Sequence, residues 1–427
     1  MRYRSKSAFA LVAALAIVGA ACGGGGAKPS ASPKGPLVGT TITFSGSYST
    51  SETAVVKDVL KMFEDQTGVK VNFVQVTASD IPQKLQVEVA SNHHTIQLFA
   101  QDNLALATLV EKKLVQDVSN IPVPSEVIPA LTAPKFDGKA YFLPYRANVR
   151  VTYVNKDRFS SAGVSPPTTT DEFKSVAEKL KQASGGQPKV TLSFADQPDT
   201  GPLGVTISEW IVSYGGNPLL LNDTGSVQAI TFLQGLWKEG VIAKESLQAK
   251  FDTEVNYLQG ETSWLATNWP FTSANLATAG VLDKFQVYEG YSGPARAAHV
   301  IGGEVLAIPT GVSGKQLQAA TELAKFLMSK PAQEILVAKN AWPSIRSDSY
   351  GQVPSELKPT YDAVQAALKD GFYRPNVVYW SDVEAAMDKA IRDIIVGGQP
   401  VQSTLDTLHD QIAAAAQAKG ATYPPSA

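Results

Sequence analysis

The sequence predicts an α/β protein. Short apolar segments with strand character alternate with segments of helical period, and the alternation repeats from residue 41 onward. Residues 41–44 (TITF) have the composition of a strand, and a polar, turn-rich stretch follows over 45–51. Val55, Val56, Val59, Leu60 and Phe63 fall on one face of a helix, which Thr67-Gly68 ends before a second strand over 69–76. Strand, helix and strand at this spacing make a βαβ unit with parallel pairing. A second round follows, with 85–90 helical, 95–100 (TIQLFA) a buried strand and 104–109 helical. Asp137-Gly138-Lys139 is a turn, after which 140–144 and 149–154 read as strands. Asp171 suits the N-cap of a helix whose Phe173, Val176, Ala177 and Leu180 share a face. Helices over 226–238, 315–328, 383–396 and 404–418 complete the chain.

The N-terminus has a different character. Arg2, Arg4 and Lys6 precede an apolar run over 8–18, the length of a signal h-region and too short to span a bilayer. Gly19, Ala20 and Ala21 then lead to Cys22, the single cysteine of the chain. The layout resembles a bacterial lipoprotein signal, with the departure that Gly19 stands where a bulky aliphatic residue is usual. That resemblance implies a signal peptide over 1–21, lipidation of Cys22, and a body held at the outer face of the cell membrane. Residues 22–39, rich in Gly, Ala, Lys, Pro and Ser, bury no core and form a flexible tether. With no second cysteine, no disulfide stabilises the body.

Beyond the tether, roughly 385 residues suffice for two or three domains. The formal net charge of −2 gives no electrostatic support for a nucleic-acid partner. His93, His94, His299 and His409 show no metal-ligand spacing, and neither GxSxG nor GxxxxGK[ST] occurs, so no metal, cofactor or nucleophile is expected. Paired carboxylates of a glycoside hydrolase meet in space and not along the chain. An exported carbohydrate-active enzyme therefore stands as an alternative.

The chemistry that is present suits a polyhydroxylated ligand. Gln101-Asp102-Asn103 follows TIQLFA directly, outside the carboxyl end of a strand, where open α/β sheets place ligands. Asp102 also suits the N-cap of the next helix. Asn268-Trp269-Pro270-Phe271 and the segment from Arg374-Pro375 to Tyr379-Trp380 set rings beside polar groups. Carboxylates and amides accept from sugar hydroxyls, and the C–H face of a pyranose packs on an aromatic ring. Trp264 reads as core, and Trp210, Trp237 and Trp342 read as structural.

Four segments carry a closer resemblance: residues 137–173 (DGKAYFLPYRANVRVTYVNKDRFSSAGVSPPTTTDEF), 225–242, 302–346 and 374–408. They resemble the extracellular solute-binding proteins of ABC importers, the sugar-binding group that includes maltose and trehalose receptors. The resemblance implies a two-lobed periplasmic-binding-protein-like fold (type II), each lobe a sheet flanked by helices, with the ligand cleft between lobes. Lobe one would comprise 40–147 plus 304–352, and lobe two 148–303 plus 353–425. It implies a monomeric receptor with no catalytic activity that hands a di- or oligosaccharide to ABC permease subunits. A polyol phosphate, osmolyte or peptide is the alternative cargo, and an Arg or Lys cluster in the cleft would favour the phosphate. Position by position, the resemblance places Glu52, Gln101, Asp102, Asn103, Asn148, Trp269, Glu304, Arg346, Tyr379 and Trp380 at the ligand. Glu304 stands where disaccharide binders often carry Trp or Ser, and Asn148 is neutral where maltose receptors are acidic.

Overall fold

A computed structural model describes residues 35–424 apart from 49, 78, 79, 104, 105, 196–200 and 341. The expected signal peptide, Cys22 and most of the tether lie outside the described residues. The strands are β1 (Thr41–Gly46), β2 (Lys70–Gln75), β3 (Leu98–Asp102), β4 (Leu143–Val149), β5 (Val151–Asn155), β6 (Leu265–Asn268), β7 (Phe285–Tyr288), β8 (His299–Ala307) and β9 (Gly371–Tyr373). They build two sheets, one in the order β2-β1-β3-β8-β4 with β9 on the free end of β8, the other in the order β6-β5-β7.

The βαβ reading of the N-terminal part holds. β1 pairs in parallel with β2 and β3, and the Thr50–Thr67 helix between β1 and β2 buries Val56, Val59, Leu60 and Phe63 against the sheet. Ala320, Leu323, Ala324 and Leu327 of the Gly314–Leu327 helix enter the same core. A second core forms around the small sheet. There the Thr170–Ala183, Pro202–Ser213, Thr224–Lys238, Trp380–Ala390 and Val401–Ala418 helices pack through residues such as Phe173, Ile207, Ile230, Met387 and Leu405. Each fully buried side chain of this size contributes about 1.5–3 kcal/mol, so each lobe has ample core of its own.

Local departures from expectation have identifiable causes. The strand expected over 95–100 runs instead over Leu98–Asp102. The amides of Thr95 and Ile96 donate to Glu88 Oε2 at 3.1 and 3.3 Å, while Phe99 to Asp102 pair with β8. Thr169, not Asp171, caps the Thr170–Ala183 helix, its hydroxyl accepting from the Glu172 amide. The helix expected to run over 383–396 begins at Trp380 and is wound as a π-helix over Ile391–Val396.

The chain passes between the sheets with little slack. β4 runs into β5 with only Arg150 between them, so one continuous extended segment belongs first to the large sheet and then to the small one. β9 pairs with the beginning of β8, and the Lys358–Ala367 helix buries Ala363, Val364 and Ala367 in the core that the large sheet shares with Val151 and Tyr153 of β5.

Candidate functional site

Register brings two of the expected residues and one unexpected one into a row. Asp102 at the end of β3 lies opposite Glu304 of β8, and Glu304 lies opposite Arg146 of β4. Residues directly opposite in antiparallel strands project from the same face, so acid, acid and base stand side by side. Arg146 Nη2 donates to Glu52 Oε1 at 3.2 Å, whereas its Nη1 lies 4.0 Å from Glu304 Oε2. The guanidinium stacks on Trp342, with Cζ 4.1 Å from the ring centroid. Trp342 in turn donates from Nε1 to Glu52 Oε1 at 2.7 Å and packs against Tyr48 and Tyr145. Burial pushes the Glu304 carboxyl up to about 7; Arg146 opposes the shift, and Asp102 and Glu52 add to it. Burial also raises the phenols of Tyr48 and Tyr145, which stay neutral.

Next to this row, Asn103 Nδ2 donates to the Ile301 carbonyl at 3.0 Å, and half-buried Asn148 lies opposite Gly302. Gly302 has a reason to lack a side chain, because a Cβ there would come 2.7 Å from the Trp269 ring. That ring is buried beside Val205 and Val300, edge-on to Phe251. Gln101 is buried within β3, opposite Val305.

A second charged group lies where the sheets meet. Arg150 is 1% exposed; its Nη1 donates to Glu209 Oε2 at 2.7 Å and Thr206 Oγ1 at 3.1 Å, and its Nη2 to the Thr267 carbonyl. Glu209 Oε1 accepts from the Val300 amide at 2.9 Å, so one carboxylate of the Pro202–Ser213 helix holds both crossing strands. Burial raises the Glu209 carboxyl, and Arg150 opposes that shift. Arg374, just after β9, is 4% exposed. Its Nε and Nη1 have no hydrogen-bond partner among the described residues, although Asp102, Glu384 and Glu209 are close enough to favour its charge against the cost of burial. The Glu384 carboxylate fills the space in which a Cβ on Gly201 or Gly204 would sit, at the positive end of the Pro202–Ser213 helix.

Three expected residues are placed elsewhere. Arg346 forms a double hydrogen bond to Asp348 at 2.8 and 3.0 Å and lies 3.4 Å from Glu126, an anchor within the first lobe. Tyr379 and Trp380 are buried in the core of the second lobe, where Trp380 begins a helix. Two small cavities border these groups. One of about 10 Å³ is lined by Asn103, Tyr145, Arg146, Gly303, Glu304 and Tyr373, and one of about 30 Å³ by Thr152, Glu209, Thr267, Tyr291 and His299 among others. Among the described residues no group of three His, Cys, Asp or Glu could hold a metal ion, and no helix is long and apolar enough to cross a membrane.

Residues 58–356 match the family described as bacterial extracellular solute-binding protein. The chain belongs to that family. This solute-binding protein is 25% identical over 379 residues to the putative binding protein BAB2_0491 of Brucella abortus, covering 83% of the chain and 88% of that protein. It is 24% identical over 328 residues to the uncharacterized ABC transporter extracellular-binding protein PH1039 of Pyrococcus horikoshii, covering 73% and 74%. To the sn-glycerol-3-phosphate-binding periplasmic protein UgpB of Brucella melitensis it is 23% identical over 309 residues, covering 66% and 69%. Among solved structures, the sugar-binding protein MalE of Xanthomonas citri superposes with a TM-score of 0.78 at 16% identity, covering 89% of this chain and 98% of that one. The cyclic alpha-maltosyl-1,6-maltose binding protein of Arthrobacter globiformis superposes at 0.75 and 18% identity, covering 88% and 98%. These likenesses establish the two-lobed fold expected from the sequence, and the family places the protein among the extracytoplasmic binding components of ABC transporters.

The solute-binding protein thus carries functional candidates that the sequence reading passed over: Arg146, Arg150, Glu209, Trp342, Arg374 and Glu384. One signal was available. Arg146 and Arg150 interrupt an otherwise apolar strand pair, LPYRANVRVTYV, and a guanidinium in a buried strand requires a partner. Nothing local distinguishes Glu209 or Glu384 from acids on an exposed helix face.

Proposed function

We propose that this protein captures a carbohydrate in the interlobe cleft and delivers it to an ABC permease without chemical change. The observation that carries the reading is the row Asp102–Glu304–Arg146 on β3, β8 and β4, faced by Arg374 and Glu384. Such a set of acceptors and forked donors suits vicinal hydroxyls, and charge-assisted hydrogen bonds contribute about 1.5–3 kcal/mol each. Binding energy reaches the hinge through the same groups, because a ligand shifts a conformational equilibrium only when it contacts both lobes in one state. The lobes divide where β4 runs into β5 and where β8 enters the large sheet, close to residues 147–150 and 299–304. Asp102, Asn103, Asn148 and Glu304 line the ligand, with Glu52 positioning Arg146. Trp269 reaches a sugar ring only once the walls part. Cys22 carries the lipid anchor.

A polyol phosphate, the cargo that UgpB's name suggests, fits less well. The site does contain three arginines, but Glu52, Asp102, Glu304, Glu209 and Glu384 outnumber Arg146, Arg150 and Arg374. That excess of acids disfavours a phosphate.

The test is a thermal-shift screen of mono-, di- and oligosaccharides with product analysis of each mixture. A ligand at about 100 times its Kd stabilises the native state by about 2.7 kcal/mol. A rise in melting temperature with the sugar recovered intact supports the receptor. Cleavage or transfer of any sugar sinks it, and a response to glycerol 3-phosphate alone transfers the reading to the phosphate class.

A further inference from the structure

Arg146 and Glu304 lie directly opposite each other on β4 and β8. Opposite charges so placed attract, and a guanidinium and a carboxylate in reach of each other ordinarily close to a hydrogen-bonded pair. Here they stand apart, with Nη1 4.0 Å from Glu304 Oε2, outside hydrogen-bond reach. The guanidinium is drawn the other way. Its Cζ lies 4.1 Å from the centroid of the Trp342 ring, and its Nη2 donates at 3.2 Å to Glu52 Oε1, the same oxygen that accepts from Trp342 Nε1 at 2.7 Å. Trp342 thus holds Arg146 twice, by the ring face through a cation–π contact and by the ring edge through a shared carboxylate oxygen.

The holder is itself fixed. Trp342 is 3% exposed and packs against Tyr48 and Tyr145, with ring centroids 5.2 and 6.1 Å away. Two residues earlier, Asn340 donates from Nδ2 to the Glu52 carbonyl at 3.2 Å, and Lys339 reaches Asp58 at 3.1 Å. The end of the Lys330–Asn340 helix is thereby tied to the Thr50–Thr67 helix that carries Glu52. Because Tyr48, Tyr145 and Trp342 share the core of the large sheet, packing sets where the guanidinium points before any ligand arrives. Arg146 Nε is buried and has no hydrogen-bond partner among the described residues, and Arg146 lines the 10 Å³ cavity together with Asn103 and Glu304.

Resting on the carbohydrate-receptor reading, we propose that Trp342 is a positioning residue of the site. It keeps Arg146 off Glu304, so that the guanidinium and the carboxylate each meet the hydroxyls of a sugar instead of each other. Without the indole the guanidinium closes on Glu304, and a sugar must first break that pair to bind.

The experiment is a double-mutant cycle read by titration calorimetry, with glucose, maltose, trehalose, cellobiose and maltotetraose as probes and urea unfolding of each variant to establish that it is folded during the titration. For a probe that binds the unaltered protein, Trp342→Phe, which keeps an aromatic face and deletes the N–H, should weaken binding about three-fold. Trp342→Leu deletes both and should weaken it about ten-fold, as should Arg146→Met. In the Arg146→Met background the Trp342 substitutions should change affinity by less than about two-fold, because no guanidinium remains to be positioned. Arg146→Lys takes the place of the Met variant if binding there falls below detection, since an ammonium lacks the planar fork that lies on the ring and reaches Glu52. Glu52→Gln should repeat the pattern, and it serves alone if the Trp342 variants do not fold. Losses that add independently in the double variants would assign Trp342 to the core alone, overturning the inference and leaving the receptor reading standing. An unchanged affinity in Trp342→Leu would do the same. Failure of every sugar to bind the unaltered protein removes both readings together.

Discussion

At the scale of single residues, the ionisable groups of the crossing point carry the sharpest expectations. Arg150 and Glu209 form a buried pair, and removing one member of such a pair costs about 3–5 kcal/mol because the other charge is left uncompensated. Arg150→Ala should therefore lower unfolding stability by that amount in urea titration, and adding Glu209→Gln should restore part of it. A loss below about 1 kcal/mol would show that the pair does not hold the strands. Glu254, which accepts from Ser193 at 2.9 Å and Thr191 at 3.3 Å, is pushed by burial up to about 7. A carboxyl raised in the folded state contributes stability that is complete below its ordinary value near 4.5 and lost as pH rises through 7. Glu254→Gln should be nearly neutral at pH 5 and stabilising at pH 8, by on the order of 2 kcal/mol. Comparing variant with unaltered protein at each pH cancels the opposing share of His299, which burial pushes down to about 4. A difference in melting temperature that does not vary with pH would contradict the assignment.

At the scale of elements, β8 is the piece on which the site depends. It pairs with β3, β4 and β9, and it can run close to β4 only because residue 303 is glycine. Gly303 has φ +94°, and a Cβ there would lie 2.1 Å from the Arg146 carbonyl oxygen. Gly303→Ala should destabilise the fold by about 1–3 kcal/mol and displace Glu304 from the row. Calorimetry of the apo protein should record the first effect, and loss of sugar binding the second. Helices were the more legible elements: the faces holding Phe173, Val176, Ala177 and Leu180, or Ala320, Leu323, Ala324 and Leu327, are buried as their period implied. Strand ends were less so, since Glu88 takes the amides of Thr95 and Ile96 ahead of β3 while β8 pairs with Phe99 to Asp102.

At the scale of the molecule, the receptor reading requires the lobes to close on a ligand. Such closure would bend the β4–β5 passage at Arg150. Small-angle scattering of the ligand-free protein should give a larger radius of gyration than the sugar-saturated protein; equal radii would exclude such closure. Cys22→Ala should release the mature chain from membrane fractions, and persistence of the variant there would refute lipid anchoring.

The α/β class and the helical faces were legible from the chain alone, as was the position of Asp102 and Asn103 at the end of a strand. Each is a local property: a period, a composition, or a motif at the end of a strand. The row that joins Asp102 to Glu304 and Arg146, the claim of Glu52 on Trp342, and the clamp of Glu209 on two crossing strands were decided by register and packing. The same holds for Arg346, Tyr379 and Trp380, which the tertiary structure spends on an ion pair and a core. The reason is physical: a charge finds its partner through space, and hundreds of residues of chain can separate two groups that fold to within 3 Å of each other.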